Sequence, residues 1–276
     1  MHNRPPPRST SRVGHLGRLG LLAAALAATG FAGGASAASF ASAVLTGWTV
    51  TLTDLDANDG VTPDIQFTNI VSLSSAQAQD VLDQTSVPGS WGDTLASAGT
   101  AFAQAMGSTS PAVAMANGQA AGDGNLAVSF TGLGLAYAEF TLSAMTGVTF
   151  TATFDGSAET TIGSDGVFSE SAVSIGQLVV EALTEGGVQS LSDQRAASAG
   201  AVFDGVGFSG QLNTFSGEFS LSFDNLSSGA VSGFTTASAY AFGESALPVP
   251  EPGTYLMLLA GLGVVGSMAR RRQRSA

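Results

Sequence analysis

Oxygen-bearing side chains occur at nearly alternate positions of one short segment, residues 54 to 64. These side chains are Asp54, Asp56, Asn58, Asp59 and Asp64. Calcium binds roughly six to eight oxygen ligands, and carboxylates along one loop can supply them. The segment is not an EF-hand, because Gly60 comes one position late and Ile65 stands where the last glutamate would be. Two interpretations stay open, a calcium site and an acidic turn whose side chains bond their own backbone.

The central part of the chain, residues 38–247, lacks most side chains that catalysis uses. It contains no histidine, lysine or cysteine, since His2 and His15 lie near the start. Neither a Ser-His-Asp nor a Ser-Lys site can therefore be built from it. Paired carboxylates could hydrolyse glycosides, but no pair among its twenty acids is singled out by spacing. We predict a protein that is not an enzyme; a carboxylate-based polysaccharide-active enzyme is the alternative.

Two short motifs have ordinary structural explanations. Residues 205–210 match the G-x-G-x-x-G pattern of dinucleotide-binding turns, but residues 212–223 alternate like a strand where that pattern requires a helix. We therefore interpret the motif as a glycine-rich turn. Asn225, Leu226 and Ser227 form a glycosylation sequon, which we interpret as a chance match.

The charges are separated along the chain. Eight of the nine basic residues, all arginines, lie near the two ends, and Arg195 is the only one in residues 38–247. Twenty of the twenty-one acids lie in that range, which gives it a formal charge of −19. Such a field repels nucleic acid, which we exclude as a partner, and keeps the domain soluble.

The pattern of residues 38–247 predicts strands. Val44, Thr46, Trp48, Val50 and Leu52 alternate with Leu45, Gly47, Thr49 and Thr51, as in a half-buried strand, and we interpret Trp48 as a core residue. Similar runs cover residues 65–73, 126–130, 133–142, 148–154, 167–180, 201–208, 212–223 and 231–242. Clusters of Gly, Asp, Asn and Ser separate them. We predict one all-β domain, an antiparallel β-sandwich or jelly roll.

Two stretches are ambiguous between helix and strand. Residues 74–84 and 95–106 are rich in Ala and Gln, which favour helices. Either stretch could be helical, and the second also alternates small residues as a strand does, so both conformations stay open for it. No cysteine is present to form a disulfide.

The first 37 residues have the three parts of a secretory signal peptide. Basic residues 1–18 precede an apolar run, Leu19 to Ala28, which is expected to be a helix, and Ala35, Ser36 and Ala37 form an A-x-A site. No paired arginines precede the run, so we expect export through the Sec translocon and cleavage by signal peptidase between Ala37 and Ala38.

The last residues form a second targeting segment, 248–276. Val249, Pro250, Glu251 and Pro252 are followed by an apolar stretch, residues 254–269, and then by Arg270, Arg271, Arg272 and Arg274. The prolines hold the box extended, and the arginines stay cytoplasmic by the positive-inside rule. The stretch predicts a C-terminal membrane helix, although its 16 residues span only roughly 24 Å of a ~30 Å core. A helix of this length is better suited to a temporary stay in the membrane than to a permanent anchor.

This tail resembles the PEP-CTERM family of sorting signals, in which a Val-Pro-Glu-Pro box, a short hydrophobic helix and an arginine cluster occupy the chain end. The resemblance implies that an exosortase, a membrane peptidase of Gram-negative bacteria, is the partner that recognises Pro250, Glu251 and Pro252. It also implies a transient stay in the inner membrane, followed by transfer to the cell surface or the extracellular matrix.

The sequence thus predicts three parts: a signal peptide (1–37), an extracytoplasmic β-sandwich domain (38–247) and a sorting signal (248–276). We expect the domain to be a structural or adhesive component of biofilm exopolysaccharide, without a cofactor. Two alternatives to this role stay open: the carboxylate-based enzyme, and a calcium-dependent carbohydrate-binding module.

The exported protein should begin at Ala38, because Ala35 and Ala37 fill the small-residue positions of the cleavage site. N-terminal sequencing of protein recovered after export measures this. Recovery of an intact N-terminus at Met1 outside the cytoplasm would contradict the prediction.

Overall fold

The computed structural model describes residues 38–80, 83–110, 113–121, 127–161, 170–184, 186–200, 202–203 and 208–246. The predicted signal peptide and sorting signal, with their helices, lie outside these residues. Every regular element within them is a β-strand. The strands are β1 Ala38–Asp54, β2 Ile65–Gln79, β3 Gln84–Val87, β4 Leu95–Gly99, β5 Ala103–Ser110, β6 Val113–Ala121, β7 Ala127–Leu142, β8 Thr146–Thr160, β9 Glu170–Thr184, β10 Gly187–Ala199, β11 Val202–Phe203, β12 Phe208–Ser209, β13 Leu212–Asn225 and β14 Val231–Ala246.

Twelve of these strands form two six-stranded sheets in which all neighbours are antiparallel. The first sheet has the order β13-β8-β1-β6-β5-β4, and the second has the order β10-β9-β14-β7-β2-β3. The two sheets pack face to face, and one core of buried residues from both lies between them. The all-β, antiparallel fold predicted from the alternation is confirmed.

Three sequence expectations need correction. Residues 74–79 are the end of β2 and Gln84 begins β3, so the helix considered for 74–84 is wrong. Residues 126–130 and 133–142 are not two strands, because β7 runs without a break through Gly132. The single strand predicted for 201–208 is wrong, because Val202–Phe203 and Phe208–Ser209 are two separate strands, β11 and β12, that pair with each other.

Of the two alternatives for residues 95–106, the strand is the one observed, as β4 and the start of β5. Alanine favours a helix only weakly, and burying every second alanine between two sheets outweighs that preference. Ala96, Ala98, Ala103 and Ala105 all point into the core.

The core changes in composition from one side of the sheets to the other. Around β4, β5 and β6 its buried residues are almost all alanine, whereas around β8 and β13 they include Phe150, Phe154 and Phe219. Large rings fill a wide gap and alanines fill a narrow one, since interiors are close-packed throughout. The spacing between the sheets is therefore set by side-chain size.

The narrow side brings backbone against backbone. A Cβ atom added to Gly107 of β5 would lie under 3.0 Å from backbone atoms of Leu133 and Ser75 in the second sheet. Gly132 and Gly134 of β7 would meet the backbone of β5 and β6 in the same way. Only glycine allows this approach.

Replacing Gly107 with alanine should destabilise the fold by about 1–3 kcal/mol, because the added methyl group overpacks the narrow side. The melting temperature would fall by about 2–4 °C for each kcal/mol in a domain of this size. Thermal unfolding measures the effect.

Gly229→Ala is the matched control, because nothing lies within 4 Å of the Cβ that it adds. Equal melting temperatures for the two variants would contradict the close approach of the sheets.

Candidate functional site

Most residues of the two predicted targeting signals lie outside the described residues. These are Ala35 and Ala37 of the cleavage site, and Val249, Pro250, Glu251, Pro252, Arg270, Arg271, Arg272 and Arg274 of the sorting signal. Ala38 is described, and it is the first residue of β1. The described residues include no helix that is long and apolar enough to cross a membrane.

The predicted calcium residues lie in and beside the connection between β1 and β2, and several bond to backbone groups of that connection. The carboxylate of Asp54 accepts the N–H of Asp56 at 3.0 Å, and that of Asp56 accepts the N–H of Asn58 at 3.1 Å. Asp59 accepts the N–H of Val61 at 2.7 Å. This is the bonding expected of an acidic turn.

Asp64 lies at the other end of the connection, where its carboxylate accepts a hydrogen bond from Gln66 at 3.1 Å. No group of three or more acidic or histidine side chains that could hold a metal ion occurs in the described part of the chain. Calcium binding by this loop stays a prediction from the sequence.

A row of three aromatic rings crosses the outer face of the second sheet. The ring centroids of Trp91 and Tyr137 are 5.8 Å apart with the rings inclined at 62°, and those of Tyr137 and Phe234 are 5.6 Å apart with the rings stacked. Trp91 is 60% exposed, which is unusual for so large an apolar side chain. We call Trp91, Tyr137 and Phe234 the aromatic row.

Two features build this row: the register of two strands, and one loop that folds over the sheet. Tyr137 of β7 pairs with Thr236 of β14, so Phe234 is its diagonal neighbour on the same face. Trp91 lies between β3 and β4, in a loop held over β2 by a 2.6 Å hydrogen bond from Gly92 N–H to Ser72 O. The three residues lie far apart in the sequence, so the sequence did not predict the row. The only signal was the alternation of Tyr137 and Phe234 in their strands, which is compatible with a shared face.

Polar groups flank the row at both sides. The Glu139 carboxylate accepts hydrogen bonds from the Tyr137 hydroxyl and from the Asn69 amide, both at 3.1 Å. Burial, and then the hydrogen bond to Glu139 and its charge, raise the pKa of Tyr137, so its hydroxyl stays a neutral donor at physiological pH. On the other side Glu181 accepts a hydrogen bond from Ser190 at 3.0 Å.

Further apolar side chains lie beside the row on the outer face of the second sheet. They are half-buried, and strand register makes them neighbours: Val71, Leu73, Leu133, Leu135, Tyr240, Val173, Ile175 and Val179. We call these residues with the aromatic row the apolar face.

Other candidates in the sequence have structural roles. Trp48 faces the core, with its ring centroid 6.3 Å from that of Phe150, as predicted. The Asn225 side chain is 1% exposed and donates to backbone carbonyls of Ser143 and Gly229, so it is not open to glycosylation. Residues 212–223 belong to β13, which rules out the helix that a dinucleotide site needs.

Comparison with known proteins identifies the tail. Residues 248–273 match the PEP-CTERM protein-sorting motif. No curated protein matches this chain. Among solved structures, a carbohydrate-binding module, TmCBM61 in complex with β-1,4-galactotriose, is 9% identical over 38% of this chain and 72% of the module, with a TM-score of 0.13. A TM-score this low does not indicate a shared fold. The match at 248–273 includes the predicted box and Arg270 to Arg272, so this chain carries a PEP-CTERM sorting motif, which implies export and processing by an exosortase.

Proposed function

We propose that this protein is a non-catalytic adhesin of the cell surface or the extracellular matrix, and that its aromatic row binds polysaccharide. The aromatic row is the observation that carries the proposal. The sorting motif supports it, because exosortase processing would deliver the domain to the surface or to biofilm exopolysaccharide of a Gram-negative cell.

The chemistry of the row suits a sugar chain. Pyranose rings have apolar C–H faces and a rim of hydroxyl groups, so they pack on aromatic rings while their hydroxyls bond to polar neighbours. Trp91 and Tyr137 supply broad rings at low conformational cost. Glu139 and Asn69 lie beside them as an acceptor and a donor.

The charge of the domain favours neutral polysaccharides over anionic ones. A formal charge of −19 on residues 38–247 repels anionic chains over about 8–10 Å at physiological ionic strength. Neutral polysaccharide is therefore the better ligand, and acidic polysaccharide should bind only when salt screens the charges.

A hydrolase that uses two carboxylates is the alternative with a specific observation in its favour. Glu139 of β7 and Glu181 of β9 are the two cross-strand neighbours of Phe234, so they flank the row. Both carboxylates lie on an open, solvent-reached face. A general acid of this kind is a buried carboxyl group, whereas both of these side chains are partly exposed.

Replacing Pro250, Glu251 and Pro252 together with alanine should leave export intact but keep the protein in the inner membrane. The exosortase would lose its recognition box, while the apolar stretch and the arginines still hold the chain. Cell fractionation measures the distribution, and Leu247→Ala with Thr254→Ala is the flanking control. Release of the box variant at the normal level would show that the box has no role in sorting.

Trp91→Ala should weaken binding to neutral polysaccharide by roughly tenfold, because a stacked aromatic contact contributes on the order of 1 kcal/mol or more. Affinity electrophoresis in gels with neutral or acidic polymer measures this. The control is Leu212→Ala, since Leu212 is 62% exposed on the first sheet.

Equal retardation of the Trp91→Ala and control variants would contradict the proposed site. The same polymers incubated with the wild-type protein and with a Glu139→Gln, Glu181→Gln variant test the enzyme alternative. Release of reducing ends by the wild type alone would replace the adhesin with a hydrolase.

A further inference from the structure

The start of β1 lies beside a buried carboxylate. Ala38 is 7% exposed, and its backbone N–H donates to Oγ1 of Thr161 at 2.8 Å. This hydroxyl donates to Oε1 of Glu170 at 3.3 Å, and the N–H of Thr161 donates to Oε2 at 2.7 Å. Glu170 is 2% exposed. One hydroxyl group thus links the nitrogen of Ala38 to a buried carboxylate.

Two fully buried hydroxyl groups lie next to these residues in the chain or in the sheet. Ser39 follows Ala38, and Ser245 is the cross-strand neighbour of Glu170. Neither Oγ atom has a hydrogen-bond partner among the described residues. Unpaired buried polar atoms are costly and therefore uncommon. A further hydrogen-bond donor within reach of these oxygens would therefore stabilise the fold.

Signal peptidase cleavage would create such a group at this place. Water adds across the peptide bond between Ala37 and Ala38: the C–N bond breaks, the Ala37 carbonyl becomes a carboxylate, and the Ala38 nitrogen becomes an ammonium group. An amide N–H offers one donor and no net charge. An ammonium offers three donors and a full positive charge.

We propose that Glu170 and Thr161 form a receptor for the α-ammonium group of Ala38, so that removal of the leader adds a buried, hydroxyl-bridged ion pair to the fold. The proposal depends on the predicted cleavage site and is independent of polysaccharide binding. An opposite charge within about 4–6 Å favours the ammonium form. β1 lies between β6 and β8 inside the first sheet, so the pair would fix the end of an internal strand.

The composition of the chain makes a direct test practical. Because the sequence contains no lysine, the α-amine is the only primary amine of the processed protein. Acetylation of the folded, exported protein by an N-hydroxysuccinimide ester, followed by mass spectrometry, reports on this amine alone. Glu170→Gln should be acetylated roughly tenfold faster than the wild type, because the carboxylate no longer holds the amine protonated and enclosed.

Melting temperatures separate the ion pair from a merely structural role. Protein acetylated in urea and refolded should melt below the unmodified wild type carried through the same steps. In Glu170→Gln the same acetylation should cause no further loss, since the charge partner is already gone. Equal losses in both backgrounds, or equal acetylation rates, would overturn the proposal.

Thr161→Val provides a second variant in case Glu170→Gln does not fold. It removes the bridging hydroxyl but keeps the carboxylate, and it should also speed acetylation. Unchanged acetylation of Thr161→Val, unchanged melting of the acetylated wild type, or a mature chain that does not begin at Ala38 would each overturn the proposal.

Discussion

Close approach of the two sheets at their glycine- and alanine-rich side is the constraint on which the rest of this structure depends. Where Gly107 of β5 faces the backbone of β7 and β2, there is no room for even one methyl group. Small inward residues let the sheets touch there, while phenylalanines hold them further apart around β8 and β13. The core thus holds side chains of very different size, because the gap between the sheets varies with them.

The two outer faces of the sandwich differ in chemistry. The first sheet carries threonine and serine pairs that hydrogen-bond across strands, Thr49 with Thr151 at 2.5 Å and Thr149 with Ser222 at 2.9 Å. The second sheet carries the apolar face. A polar hydroxyl surface is well hydrated, whereas an aromatic one gains free energy when it is covered. The two outer faces therefore differ in the free energy that covering them would release.

Acidic residues serve several distinct roles in this protein. The aspartates between β1 and β2 mostly satisfy backbone N–H groups of their own turn. Glu139 and Glu181 accept hydrogen bonds on the outer face, while Glu170 is buried and bonds to Thr161. Asp193 pairs with Arg195 at 2.9 Å. The net formal charge of −19 on residues 38–247 is therefore the sum over carboxylates that lie in quite different environments.

The sequence by itself determined the sorting motif of this protein and the class of its fold. Box, apolar stretch and arginines are contiguous in the chain, and strand alternation is a local property, so both can be recognised without any long-range contact. The helix considered for the Ala-rich residues 74–84 is wrong, because their conformation is set by burial between two sheets and not by local preference. Only the tertiary structure decided which residues form the aromatic row, since Trp91, Tyr137 and Phe234 meet through strand register and a loop folded over β2. The same holds for Ala38 and Glu170, which lie far apart in the chain and meet through Thr161 because strand pairing brings the ends of β1 and β8 together.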